Sequence, residues 1–316
     1  MFEVIINPAG AGGRTVRTWN KTKELLDRYH ISWHENFSTP EHGIKEIVSG
    51  LTAGDSEVDL LVIGGDGSMN ETVNGIRDIR KVRLALIPCG TGNDLARALA
   101  IPSDPETVVR QLQDNQVKRR ISVGKMTMHT CYDRDLQPME GEYSRLFNIS
   151  SGFGFDAAVC EEVQRSAVKP FLNKIHLGKL IYLYVAVHQI FSADRIKCRI
   201  VLDDCETLEF SDLLLSVGMN SAYEGGGFRF APAADPSDDF IDFCFGDHIT
   251  RMDFFRVVPK AYSGAHVNYP GFHLRRAKYA EITTDRPVWI HTDGEIEWQS
   301  DQIRLELLPD RLKLLV

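Results

Sequence analysis

Three apolar runs, each ending in a glycine-rich turn, constrain this chain more than anything else in it. Phe2-Glu3-Val4-Ile5-Ile6 runs into Asn7-Pro8-Ala9-Gly10-Ala11-Gly12-Gly13. Val58-Asp59-Leu60-Leu61-Val62-Ile63 runs into Gly64-Gly65-Asp66-Gly67, and Arg83-Leu84-Ala85-Leu86-Ile87 into Pro88-Cys89-Gly90-Thr91-Gly92. Each turn precedes a helical pattern, from about Thr15 to Tyr29, from Ser68 to about Arg77, and from near Asn93. A further strand, Ile31 to Phe37, and a further helix, Glu41 to Leu51, lie between the first two runs. Strands alternating with helices predict a parallel sheet covered on both faces, so residues 1–124 read as a Rossmann-like α/β domain.

Beyond about Val123 the pattern changes. Short strand-like runs dominate: Leu146 to Ile149, Lys197 to Leu202, Leu213 to Gly218, Ile241 to Phe245, Tyr279 to Thr283, Val288 to His291 and Ile303 to Leu307. One helical block, roughly Asp156 to Phe191, interrupts them, and Thr130 to Tyr143 reads as an exposed hairpin or loop. Residues 125–316 therefore read as a β-sandwich domain. A chain of 316 residues is long enough for both.

Glycine turns between a strand and a helix are where phosphate binds, because backbone amides converge there and the helix start carries partial positive charge. In an open parallel sheet such turns share one crevice at the carboxyl ends of the strands. Asp66, inside the middle turn, suits a Mg²⁺-linked role beside phosphate, or a turn carboxylate bonded to nearby amides. No G-x-x-x-x-G-K-[ST] motif occurs, nor the H-R-D and D-F-G signatures of protein kinases. The net charge of −8 argues against a nucleic-acid binder. None of the six cysteines forms a C-x-x-C pair, and the ten histidines show no metal-ligand spacing, so they read as ordinary surface or core residues. No apolar stretch approaches a membrane span and the N-terminus lacks a signal-peptide pattern, which makes the cytoplasm the expected location.

These motifs occur in order with Gly152-Phe153-Gly154-Phe155-Asp156, Gly225-Gly226-Gly227, Pro232-Ala233 and Asp293-Gly294-Glu295. Together they resemble the diacylglycerol kinase catalytic-domain family, which includes bacterial soluble lipid kinases and sphingosine kinases. The resemblance spans almost the whole chain. It implies ATP and Mg²⁺ as cofactors, bound in a cleft between an α/β and a β-sandwich domain. By the same resemblance Asn7, Gly64, Gly65, Gly67, Gly90 and Thr91 line the nucleotide phosphates, and Thr39 and Glu71 face the nucleotide. Asp66 joins the Mg²⁺ network, Asp293 acts as general base, and Glu295 supports nucleotide or metal. Asp94 and Asp156 are assigned to the substrate, and Asp238 to a structural Mg²⁺. Two positions depart from the family pattern: Asp239 stands where glycine is usual, and Ser122 where bacterial relatives often carry aspartate.

The resemblance implies an ATP-dependent kinase acting on a lipid hydroxyl, with diacylglycerol as the first expectation. NAD kinase-like activity and a non-catalytic nucleotide-binding regulator are the alternatives. A lipid substrate implies peripheral membrane contact. The basic and apolar stretch from Arg165 to Phe191 reads either as a membrane-facing lid or as a helix buried on the sandwich. A homodimer is the base-rate expectation.

Overall fold

The computed structural model describes residues 1–165, 185, 188–190 and 194–316. The remainder of the block from Arg165 to Phe191, including the lid expected there, lies outside the described residues. The chain divides into two units, Met1–Val123 with Pro309–Val316, and Gly124–Leu308.

The first unit is built on β1 (Phe2–Ile6), β2 (Trp33–Phe37), β3 (Val58–Gly64), β4 (Val82–Pro88) and β5 (Arg119–Ile121). The first four pair in parallel in the order β2-β1-β3-β4. Leu60 to Gly64 are all buried, as expected of a strand with helices on both sides. Between the strands run α1 (Arg14–Arg28), α2 (Ile44–Leu51), α3 (Asp66–Gly75), α4 (Asp94–Ala98) and α5 (Pro105–Leu112). Helix α1 buries Thr15, Trp19, Thr22, Leu25 and Leu26, one stripe at helical spacing, against the sheet. Helix α3 starts at Asp66, two residues earlier than its apolar pattern suggests, because Gly65 supplies the extended residue before the first turn.

The sequence places the last eight residues in the second domain, but they return to the first unit. Leu312–Leu314 inserts between β4, in parallel, and β5, antiparallel. Three residues are too few to show a period, so this strand is defined by its partners.

In the second unit β6 (Gly124–Met128), β7 (Cys131–Tyr132), β8 (Pro138–Met139), β9 (Tyr143–Phe147), β10 (Ser150–Gly154), β11 (Ile196–Leu202), β12 (Glu206–Met219), β13 (Ile241–Asp247), β14 (Phe272–Ala277), β15 (Tyr279–Thr292) and β16 (Glu295–Leu307) form one hydrogen-bonded network. The long strands change partner along their length. β15 pairs with β11 through Ala280–Thr284 and with β10 through Ile290–Thr292. Its two halves, which the sequence suggests are separate strands, are one strand with register breaks around Thr283/Val288 and Trp289/His291. Such breaks bend a strand from one layer of a sandwich into the other. The enclosed core draws on Met126, Phe147, Phe153, Ile200, Phe243, Ile282 and Leu305. Residues Thr130 to Tyr143 contain the small β7–β8 hairpin. Phe155–Arg165 is α6, and a helix absent from the sequence reading, Arg251–Ala261, is capped reciprocally by Thr250 and Asp253.

Candidate active site

In the first unit the chain leaves β1 toward β2 on one side and later places β3 on the other. The turns after β1 and β3 thus flank the point where strand order reverses, where open α/β sheets bind ligands. In the turn after β1, Asn7 organises the backbone: its Oδ1 accepts the Ala9 N–H at 3.0 Å and its carbonyl accepts the Gly10 N–H at 3.0 Å. Ala11, Gly12 and Gly13 follow with φ of 51°, 65° and 86°. Arg14 then opens α1 and donates to the Gly90 carbonyl at 3.3 Å and the Thr91 hydroxyl at 3.4 Å. A cation at a helix N-terminus opposes the helix dipole, so this placement favours a nearby anion.

The turns after β3 and β4 pack glycine on glycine. A Cβ on Gly65 would stand 2.8 Å from Gly90 Cα, and one on Gly90 would stand 2.6 Å from Gly65 Cα. Backbone bonds reinforce the contact, with Cys89 N–H donating to the Gly64 carbonyl at 2.9 Å. Asn93, left-handed at φ 53°, closes the third turn by accepting from Gly90 N–H at 2.8 Å and donating to its carbonyl at 3.1 Å. Asp66 spans both turns: its Oδ2 accepts from Asp94 N–H at 3.1 Å and its Oδ1 from Leu95 N–H at 3.2 Å. The turn-carboxylate alternative is thus realised, with the bonded amides on α4 rather than in the Asp66 turn itself. Gly65→Ala is expected to force the two turns apart and weaken nucleotide binding by at least roughly tenfold, 1.4 kcal/mol. Titration calorimetry with a non-hydrolysable ATP analogue checks this, and unchanged affinity would sink the phosphate-loop assignment.

Thr39 closes the turn beyond β2, its hydroxyl accepting the His42 N–H at 3.1 Å. Glu71 lies on α3 and extends its carboxylate toward Gly43 at the start of α2. Asp94 is buried and paired with Arg97 on the same helix. Ser122, where relatives often carry a carboxylate, is buried.

The second unit centres on a hairpin. Thr292 pairs with Glu295, so Asp293 and Gly294 alone connect β15 to β16, both at positive φ, 52° and 84°. That is the type I′ geometry for which Asp-Gly is suited. The Asp293 carboxylate turns back onto the segment before β10. Its Oδ1 accepts from Ile149 N–H at 2.8 Å and Ser150 N–H at 3.0 Å; its Oδ2 accepts from Asn148 N–H at 2.9 Å and, more weakly, from Asn148 Nδ2 at 3.5 Å. Glu295, beside this turn, lies within electrostatic reach of the buried Arg145 guanidinium.

Directly behind the turn is a group the sequence did not disclose. His291 is fully buried, with Nε2 2.8 Å from Asp156 Oδ2 and 3.5 Å from Glu224 Oε1. Gly152 leaves the space, since a Cβ there would meet Asp156 Oδ2 at 2.5 Å and His291 Nε2 at 3.0 Å. Burial pulls the imidazole pKa down, but the charge of Glu224 and the hydrogen bond and charge of Asp156 outweigh it, raising it to about 9. Gly294 N–H also approaches His291 Nδ1 at 3.3 Å, a bond only the neutral ring accepts, so protonation exchanges that long contact for attraction to the surrounding carboxylates. Reading the histidines as ordinary residues is thereby corrected for His291. The one local signal was its place two residues before Asp293, on the strand that leads into the turn. Arg14 was likewise missed, although a cation directly after a glycine turn could have marked it.

Asp238 does not fit the Mg²⁺ assigned to it. Its Oδ1 accepts from Phe240 N–H at 2.9 Å and its Oδ2 pairs with Arg276, whose guanidinium lies 4.5 Å from the centre of the Phe240 ring. Arg276 also stands 3.8 Å from Asp242, whose pKa burial lifts to about 6. The positive charge is thus supplied by the protein. Among the described residues no cluster of three His, Cys, Asp or Glu side chains is arranged to hold a metal.

Comparison with known proteins agrees with this arrangement. Residues 2–126 match the diacylglycerol kinase catalytic domain, and residues 149–316 match the YegS C-terminal NAD kinase beta sandwich-like domain. YtlR of Bacillus subtilis, provisionally named a lipid kinase, is 26% identical over 313 residues, 98% of this chain and 97% of its own. A diacylglycerol kinase of Mycobacterium tuberculosis is 23% identical over 291 residues, 92% of this chain and 87% of its own. A Bacillus anthracis crystal structure, provisionally named a diacylglycerol kinase, shares the fold with a TM-score of 0.73 at 20% identity, covering 99% of this chain and 96% of that one. An Archaeoglobus fulgidus NAD kinase in complex with ATP shares it more distantly, at 0.52 and 11%, covering 100% and 94%. The phosphate-type turns of the first unit, the Asp-Gly-Glu hairpin of the second and these matches agree: the chain belongs to the diacylglycerol kinase catalytic-domain family, with its YegS-type β-sandwich C-terminal domain.

Proposed function

We infer that the protein is an ATP-dependent lipid kinase that transfers the γ-phosphate to the hydroxyl of diacylglycerol. The observation that carries this reading is the interlocked pair of glycine turns after β3 and β4, beside the sheet's switch point, with Arg14 bridging from the turn after β1 to Gly90 and Thr91, in a chain of this family. Phosphoryl transfer needs little covalent help from a protein; it needs positioning and charge neutralisation. The first unit supplies amides and the Arg14 guanidinium for the phosphates, and the Mg²⁺ that accompanies ATP would neutralise further phosphate charge. The second unit supplies Asp293. As the acceptor oxygen bonds to the γ-phosphorus and the bond to the ADP oxygen breaks, the hydroxyl proton passes to the carboxylate. Oδ2 is the atom suited to take it, because Oδ1 already holds two strong N–H donors. Asp156, held in orientation by His291, is the group proposed to face the polar end of the acceptor.

Incubation with labelled ATP and a panel of diacylglycerol, sphingosine, ceramide, phosphatidylglycerol and NAD tests the reading. Label is expected in phosphatidic acid. Label confined to NADP would favour the NAD kinase alternative, and no transfer to any acceptor would favour a nucleotide-binding regulator. Arg14→Ala is expected to raise KM for ATP roughly tenfold with a smaller change in kcat, since a charge-assisted contact to phosphate is lost. Unchanged ATP kinetics would remove Arg14 from the site.

A further inference from the structure

The helix Arg251–Ala261 carries apolar residues on two faces, one buried and one exposed. Phe254, Val257 and Ala261 are buried, with Phe254 in the core cluster formed with Leu214, Leu215 and Ile249. On the other side Met252, Phe255 and Tyr262 are 64%, 45% and 52% exposed. At about 100° per residue these three and the exposed Pro259 fall in one stripe roughly 80° wide, bordered by Arg251 on one side and by Arg256 and Lys260 on the other. Single exposed apolar residues are ordinary. Here three of the seven large exposed ones among the described residues share one helical face. Asp253 is turned toward Thr250 and Tyr269, its carboxylate taking their hydroxyls at 2.6 Å each, and reaches Arg256 at 3.4 Å. The helix, with two arginines and one lysine against one aspartate, still carries +2 in a chain of −8.

We propose that this face is the surface by which the protein docks on an anionic phospholipid bilayer, with Met252, Phe255 and Tyr262 seated at the boundary between headgroups and acyl chains and the flanking bases among the phosphates. An apolar stripe flanked by bases is the pattern of an interfacial helix. A second copy of the chain fits poorly, because a two-fold contact would set this cationic face against itself. The helix also adjoins the candidate acceptor site. Phe254 packs edge-on against Phe155 at 5.1 Å, the residue before Asp156. Tyr262 stacks on Phe228 at 4.1 Å, in the loop whose Glu224 reaches His291. The inference takes its purpose from the lipid-kinase reading, but its test does not depend on that reading.

The full chain is sedimented with sucrose-loaded vesicles of phosphatidylcholine, with and without phosphatidylglycerol. Wild type is expected to bind the anionic vesicles and to release with salt. Met252→Glu/Phe255→Glu is expected to lower the partition coefficient at least tenfold, and Arg256→Gln/Lys260→Gln several-fold with a weaker salt response. Thermal unfolding and phosphorylation of a water-soluble short-chain diacylglycerol should remain at wild-type values in both variants. Wild type that ignores anionic vesicles overturns the proposal, as does a double-glutamate variant that binds them undiminished. Loss of binding in a protein that phosphorylates no lipid would keep the docking face and reject the kinase reading, so the two failures are separable.

Discussion

Asp293→Asn is expected to reduce kcat for lipid phosphorylation by about 10²–10⁴-fold, the usual contribution of a positioned base, with nucleotide affinity nearly unchanged. Asparagine is the informative replacement because the structure gives Asp293 a second duty. Its carboxylate satisfies the backbone N–H groups of Asn148, Ile149 and Ser150. Alanine would strand all three, at roughly 1–3 kcal/mol each, and would sit poorly at φ 52°. An inactive alanine variant could therefore report a collapsed corner rather than a missing base. Asparagine tolerates the left-handed backbone and keeps an oxygen for Ile149 and Ser150. Its amide nitrogen replaces the oxygen that accepts from Asn148 N–H, so one of the three donors is lost rather than all three. Turnover is measured by ADP release and affinity by calorimetry. A kcat within a few-fold of wild type would falsify the role given to Asp293.

Removing the buried histidine should have the largest effect on stability. His291→Leu leaves Asp156 and Glu224 facing each other without their cation, and breaking a buried ion pair costs about 3–5 kcal/mol. The pH dependence gives the sign. The folded-state pKa of His291, about 9, lies above the ordinary 6.5, so the protonated ring binds its proton more tightly in the folded protein. The resulting stability is fully present below about 6.5 and is lost as pH rises through about 9. The groups facing the ring are Asp156 from α6, Glu224 from the loop after β12, and Asp293 from the turn. Urea midpoints of wild type should fall across that window, and those of the leucine variant should not. Asp242, held up to about 6, titrates below it and does not mimic the effect. Equal pH slopes in the two proteins would show that the ring is neutral when folded.

The fold of the first unit was legible because a buried parallel strand marks itself locally. Leu60 to Ile63 are apolar without alternation, and the glycine that follows each run is needed where it stands. The second unit was legible only as a class. Its long strands change partners midway, and a bend of that kind has no period to read, so β15 resembled two strands. The helix Arg251–Ala261 escaped for a related reason: apolar residues on both of its faces blur the amphipathic pattern that separates core from solvent.

The candidate site divides along the same line. The sequence by itself determined which chemistry is available: three glycine turns at helix starts, and an Asp-Gly pair able to make a two-residue hairpin. Both follow from backbone conformations that few residue types can adopt. Only the tertiary structure decided which groups meet. Asp66 bonds the amides of a helix 28 residues away, Arg276 pairs with Asp238, and Asp156, Glu224 and His291 converge from three segments. The last eight residues cross back to the first sheet. Such partners are set by sheet register and by space left at positions such as Gly152, and polar pairing between distant segments leaves no periodic trace in the sequence.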